Sequence, residues 1–275
     1  MMLTFRHEAR GFVGFVERQK NLIRRYWLWE VVWLIYSLVS VLSIGYLAAG
    51  LGSLGTGGFD LRQAQLYLLV GALLWAYLSI VFIEITFSVM WERWEGTIEY
   101  TFMAPVRRLT HLLGICTFAL FYGLARTVVV LVIAVLLFHL DLSHANLFTA
   151  VTVMAVSTFP LVGLGILASV LPLLSPERGE QMTVAVQGVL LLASGVYYPV
   201  SVLPGPVQAL ARVNPLTYTL DGMRAALIGG RGLTAVAPDL LPLLVMGLLL
   251  LPAGLAAFGW AERRAKRLGL LKRSG

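Results

Sequence analysis

Six stretches of this chain are long and apolar enough to leave water altogether. A helix that crosses the hydrocarbon core of a bilayer needs about 20 mostly apolar residues. Such runs fall near 30–50, 66–90, 112–138, 147–172, 182–198 and 240–259. Their apolar residues go right round the helical wheel, so no face is reserved for water. The alternation over about ten residues that marks a membrane β-barrel is absent. The chain therefore reads as an all-α integral membrane protein with six transmembrane helices. Composition agrees, with 59% of the 275 residues hydrophobic and 13% charged, against about 25% charged in soluble domains. That excludes a disordered chain and a nucleic-acid-binding arm, and it argues against a soluble enzyme.

The net charge of +7 has a topological reading. With the N-terminus inside, the inner segments 1–29, 91–110, 173–181 and 260–275 hold 16 Lys and Arg, and the outer ones hold four: Arg62, Arg212, Arg224 and Arg231. Arg126 falls within a span. Basic residues accumulate on the cytoplasmic side and meet anionic headgroups there, so a multi-pass protein with both termini cytoplasmic is expected, and no nucleic acid need be invoked. The first 29 residues are too charged for a cleavable leader, and insertion is expected to use the first span. The single cysteine, Cys116, reads as packing, because nothing nearby activates its thiol.

The spans leave three segments that are neither plain crossings nor turns. Residues 1–29 combine Phe5, Ala9, Phe12, Val13 and Val16 at helical spacing with Arg6, Arg10, Arg18, Lys20, Arg24 and Arg25. This is the pattern of an amphipathic helix lying along the inner surface. Tyr26, Trp27, Trp29 and Trp33 suit the headgroup boundary. The rest of the chain, 30–275, reads as one six-span domain with a basic tail at 260–275.

The second segment is the cytoplasmic connection at about 91–105. Glu92, Glu95 and Glu99 recur at helical spacing as an acidic stripe, with Trp91, Trp94, Ile98 and Phe102 as an aromatic and apolar stripe beside it. Pro105 should stop this helix, and Arg107 and Arg108 should anchor the next span. A cytoplasmic helix of that kind suits a docking partner; an interfacial connector is the plainer alternative. The third segment, about 199–230, is rich in proline: Tyr198-Pro199, Leu203-Pro204-Gly205-Pro206 and Asn214-Pro215-Leu216-Thr217-Tyr218. Val207–Val213 and Leu216–Ile228 are helix-compatible but too short to span. A pair of short helices dipping into the outer leaflet and returning accounts for both, with an outer loop as the alternative. Asp221 and Arg224, three residues apart, could face each other there.

Two charges, Glu84 and Arg126, fall well inside spans 2 and 3, where charge marks a bundle interior or a cavity. At 1.5 Å per residue they differ by about 12 Å in depth, so a direct pair stays open. Other chemistry is missing. No Lys follows a Gly anywhere, so there is no phosphate-cradling GxxxxGK[ST] loop, and there is no zinc-binding HExxH pair. His139, Asp141 and His144 read as ordinary turn residues rather than a metal site, and no cofactor is expected in this chain.

Together these segments resemble the permease subunits of type-2 ABC exporters, six-span proteins that move drugs, lipids and cell-surface glycans. Glu95-Gly96-Thr97-Ile98-Glu99, followed by Pro105 and Arg107-Arg108, looks like the coupling helix that docks into the ATPase. Val106 stands where many members place a small polar residue. Ser194-Gly195, Tyr198-Pro199, Leu203-Pro204, Pro215-Leu216-Thr217-Tyr218 and Asp221 to Arg224 look like the re-entrant helices before the last span. The resemblance implies Trp91, Glu92, Trp94, Glu95, Gly96, Thr97 and Glu99 as the coupling set. It implies an outer gate of Tyr198, Pro199, Pro204, Pro215, Tyr218, Asp221 and Arg224. It further implies two ATPase subunits carrying ATP and Mg2+, a second permease copy, most simply an identical one, and an inner-membrane location. Few charges line such a path, which suits an amphipathic or lipid-like substrate. The competing class is a self-sufficient secondary transporter or channel using Glu84 and Arg126. An intramembrane enzyme lacks a nucleophile–base set.

Overall fold

The computed structural model describes residues 2–53, 61–140, 143–175 and 177–270. Within them the chain is helical, and no strand occurs among the described residues. Helix α1 (Met2–Arg25) is followed after a one-residue break at Tyr26 by α2 (Trp27–Ser53). Then come α3 (Leu61–Trp94), the short α4 (Ile98–Met103), α5 (Arg108–Phe138) and α6 (Leu147–Leu174). The last third holds α7 (Gly179–Ser194), α8 (Gly205–Arg212), α9 (Pro215–Leu227) and α10 (Leu233–Arg267).

Five helices, α2, α3, α5, α6 and α10, are long and apolar enough to cross a membrane. The segment expected as the sixth crossing, 182–198, holds α7, which is not among those five; its 16 residues rise about 24 Å. Gly195 ends it in the left-handed conformation (φ 74°), and the chain turns away before the expected boundary.

Burial divides the bundle into a centre and a rim. In their most apolar stretches α3 and α6 are 56% and 50% buried, whereas α2, α5 and α10 are each 17% buried. The core gathers around α3, where Tyr77, Leu78, Val81, Ile85 and Val89 pack on Leu112, Cys116 and Ala119 of α5 and on Leu161, Ile166 and Leu173 of α6. Glycines set the closest approaches. A Cβ on Gly163 of α6 would lie 2.6 Å from the Leu250 carbonyl carbon of α10, and one on Gly254 would lie 2.8 Å from the Gly163 oxygen. Lipid gives no hydrophobic drive between helices, so such small residues let backbones gain dispersion contacts instead.

Polar contacts define the two ends of the bundle. At one end Arg93, buried on the last turn of α3, donates to the carbonyls of Leu173 at the end of α6 and Leu270 beyond α10. Arg108 at the start of α5 donates to Glu262 of α10 at 2.9 Å. Helices α1 and α4 also lie at this end. At the other end the Asn146 amide donates to the Ala226 carbonyl (2.9 Å), joining the start of α6 to the end of α9. Helix α7 runs between them. It starts so close to α6 that a Cβ on Gly179 would meet Pro172 Cα at 2.3 Å, and it finishes beside Gly71 and Tyr67 near the start of α3.

The expected N-terminal helix, 1–29, is present but shorter, and it packs on a different face. Glu8, Gly11, Phe15, Arg18 and Gln19 turn toward α3–α5, while Ala9 and Val13 of the expected apolar stripe are exposed. Trp27, Trp29 and Trp33 of α2 are exposed as well.

Candidate functional site

The connection at 91–105 is not one helix. Helix α3 runs to Trp94, the chain turns through Glu95 and Gly96, and α4 begins at Ile98. Gly96 takes φ 71°, a conformation that favours a residue without Cβ. Pro105 restricts the residue before it to extended backbone. Ala104 accordingly caps α4 at φ −58°, ψ 139°. Arg108 then donates to the Thr101 carbonyl (2.8 Å) and the Phe102 carbonyl (2.5 Å), and its guanidinium sits 4.3 Å from the Phe102 ring. These are carbonyls that a helix end leaves without partners. Ile98 and Phe102 bury the inner face of α4, while Tyr100 and Met103 stand out at 74% and 72% exposure.

This break corrects the acidic stripe. Glu92 does not face outward with Glu95 and Glu99; it is 2% exposed. Its Oε1 accepts from Arg18 of α1 and from His111 Nε2 of α5 at 3.0 Å. A carboxylate so enclosed requires paired donors, and it is unavailable to a docking partner. Glu92 Oε2 and His111 Nδ1 are buried without a hydrogen-bond partner among the described residues. Glu95 and Trp94 are exposed and Glu99 and Trp91 half-buried. Thr97 caps α4 by position, but its hydroxyl accepts from Arg18 at 2.8 Å rather than serving the α4 backbone.

The far end of the same connection is also held by α1. Glu8 accepts from the Arg107 amide (3.3 Å) and from the Thr110 hydroxyl (2.5 Å), and the His7 ring lies 3.1 Å from the Pro105 carbonyl. The Thr110 hydroxyl, then the Arg107 amide and charge, hold the Glu8 carboxyl below its usual value.

At the other end, α8 and α9 are close to the two expected short helices, and α9 is buried along most of its length. Asn214 caps α9 by accepting from the Leu216 amide (3.1 Å), and it donates to the Leu190 carbonyl of α7 (3.1 Å). Pro215 at the first helical position needs no amide partner. The tyrosines close the turns locally, Tyr198 donating to the Leu192 carbonyl and Tyr218 to the Arg212 carbonyl, both at 2.9 Å. Pro199 and Pro204 are exposed.

Asp221 and Arg224 do not pair. Asp221 is exposed, and buried Arg224 spends its donors on backbone: Gly195 (3.0 Å), Val196 (2.6 Å) and Tyr67 (3.4 Å). Its guanidinium also lies 3.5 Å from the Tyr67 ring centre. The last carbonyls of α7 itself accept from Asn214, Ser194, Tyr198 and Thr217, and Arg224 serves the buried turn that follows the helix, where free carbonyls inside a bundle need donors.

Glu84 and Arg126 are not joined either. Arg126 donates to Ser37 of α2 (2.8 Å) and to the Tyr122 hydroxyl (3.4 Å), and Tyr122 donates to Glu30. Glu84 makes no hydrogen bond among the described residues. Sequence reasoning missed Glu30, Ser37 and Tyr122 here, and Arg18 and His111 around Glu92. Only Arg18 carried a signal, as a basic residue on an amphipathic helix. Asp141 of the His139–Asp141–His144 group lies outside the described residues. No cluster of metal ligands occurs among those described. A cavity lined by Trp75, Leu78, Ser79, Phe82, Leu161 and Gln187 has room for about one water.

No curated protein matches the chain. The ABC-2 type transporter family matches it over residues 12–228, well over half of its 275 residues. The match takes in most of α1, the α3–α4 break and both short helices. The chain thus belongs to the ABC-2 type transporter family, as a membrane component of a transporter.

Proposed function

We propose that this chain is the permease of an ATP-driven exporter, working as two copies with two separate ATPase subunits that hold ATP and Mg2+. Six crossings, α7 included, put both termini in the cytoplasm. The docking surface is the knuckle made by the α3–α4 break, with Trp94, Glu95, Glu99, Tyr100 and Met103 outward. Glu92 is left out of it. The observation that carries this reading is that knuckle itself: two exposed apolar side chains and Glu99 on a six-residue helix, with Glu95 in the turn before it, pinned from behind by Arg108. Exposed apolar and aromatic side chains at a bundle end are anchors for a partner. Helices α8 and α9 form the outer gate, with Arg224 holding the turn that follows α7. The cavity beside Trp75 and Phe82 is too small for an amphipathic drug, lipid or lipid-linked glycan, and the path runs between copies.

The test is co-purification from membranes with Glu95→Arg and Glu99→Arg beside the parent chain. An ATPase subunit should travel with the parent and be lost from the double variant, whose thermal unfolding stays unchanged. Recovery of no ATPase with the parent chain overturns the reading. Flux driven by an ion gradient in vesicles holding this chain alone would favour a secondary transporter instead.

A further inference from the structure

Helix α1 touches the 92–110 connection at both ends and only from one side. Near its C-terminal half, Arg18 uses its two terminal nitrogens on different elements. Nη1 meets Glu92 on the last turn of α3; Nη2 meets the Thr97 hydroxyl at 2.8 Å and Glu95 at 3.6 Å, beyond the break. Gln19 donates to Ser88 one turn further back on α3. Eleven residues earlier, about 16 Å along the helix, His7 and Glu8 hold Pro105, Arg107 and Thr110. Close packing fixes the distance between the two grips: a Cβ on Gly114 of α5 would meet Phe15 Cβ at 2.7 Å, and one on Gly11 would meet Val106 at 3.1 Å.

We propose that α1 is a rigid brace for α4, and that Arg18 is its positioning residue, fixing the angle between α3 and α4 by bridging the break. This rests on the reading of α4 as the docking knuckle. A six-residue helix behind a glycine turn has little rigidity of its own. If a partner pushes on it, the push reaches the spans only if the turn does not simply fold. The planar, two-pronged guanidinium suits this: it holds Glu92 and Thr97 at once, whereas an ammonium is a single point. His111 shares Glu92 from the α5 side, so the joint is tied to three helices. The opposite face of α1 carries exposed Arg6, Arg10, Lys20 and Val13 and takes no part in these grips.

Spin labels at Tyr100→Cys and Arg267→Cys in the Cys116→Ser full chain, reconstituted in lipid vesicles, read the position of α4 against α10 without any partner. The parent should give one narrow distance distribution. Arg18→Lys keeps the charge on Glu92 but loses the second prong, and should lose the narrow peak. Thr97→Val, which leaves Arg18 and His111 on the buried Glu92 carboxylate but removes the Thr97 hydroxyl from Arg18 and from the Glu92 carbonyl (3.3 Å), should broaden it. Glu17→Gln, exposed on the neighbouring position, should leave it intact. An unchanged peak in both Arg18→Lys and Thr97→Val overturns the brace, whatever becomes of the exporter reading. With the ATPase present, Arg18→Lys should keep nucleotide hydrolysis while transport falls severalfold. Broadened distances with fully coupled transport would overturn the part played in coupling.

Discussion

Arg224 is buried, and its guanidinium joins three backbone carbonyls at its end of the bundle. Helix α7 stops at Ser194, and the turn after it is buried at Gly195 and Val196. One guanidinium meets the carbonyls of Gly195, Val196 and Tyr67. Hydrogen bonds to charged groups contribute about 1.5–3 kcal/mol each. Arg224→Lys should therefore lower the unfolding temperature in detergent by several degrees and increase proteolysis within 195–204, with Arg224→Ala lower still. An unfolding temperature equal to the parent's in both variants would show that the turn after α7 is held by other means. Spacing made Arg224 and Asp221 look like partners, and spacing alone could not say otherwise. A buried arginine needs acceptors, and those it finds in the turn after α7 sit 28 or 29 residues away in sequence. Glu92 was misread for the same reason: its partners, Arg18 and His111, come from other helices.

Elements were easier to read than partners, because their signals are local. Asn214-Pro215 fixes the start of α9 by capping and by proline's missing amide, so the short pair was legible to within a few residues. The 3.6-residue periodicity of Glu92, Glu95 and Glu99 suggested one continuous helix, and Gly96 was the warning. Its φ of 71° ends α3 at the point where the acidic spacing would carry on. Helix α1 was legible as amphipathic but not in its docking. Its bundle-facing side is set by Gly11 and Gly114, which permit close approach, and by polar grips, whereas the wheel counted only apolar residues. Gly114→Ala tests that docking. Its Cβ would stand 2.7 Å from a side-chain stem rather than from a flexible end, and overpacking costs about 1–3 kcal/mol. Hydrogen exchange over 8–19 should quicken while α6 and α10 keep their protection. Equal protection along α1 in the variant would mean that α5 yields instead.

The path of the whole chain comes down to whether α7 crosses. Tyr100 lies in α4, and Gly205 opens α8; between them stand α5, α6 and α7. If all three cross, the two positions face opposite sides of the membrane; if α7 turns back, they face the same side. Length alone argues against crossing, since 16 residues fall short of the hydrocarbon thickness. Position argues for it: α7 starts on the last turn of α6 and ends beside Tyr67 near the start of α3, so it traverses most of the bundle, and the chain continues through Val200–Val202 and α8. The charges agree, since Arg24, Arg25, Arg93, Arg107, Arg108, Arg178, Arg263 and Arg264 gather near one end and Arg212, Arg224 and Arg231 near the other. Cys116 is the sole cysteine and is buried, so Cys116→Ser gives a clean background. In it, Tyr100→Cys and Gly205→Cys report sidedness, the first strongly exposed and the second with open space around its Cβ. A membrane-impermeant maleimide on right-side-out vesicles should label Gly205→Cys at once and Tyr100→Cys only after the vesicles are opened. Labelling of both before opening, or of neither, would place α4 and α8 on one side. The chain would then have five crossings, with its N- and C-terminal ends on opposite faces, contrary to the contacts that tie α1, α5 and α10 together at one end.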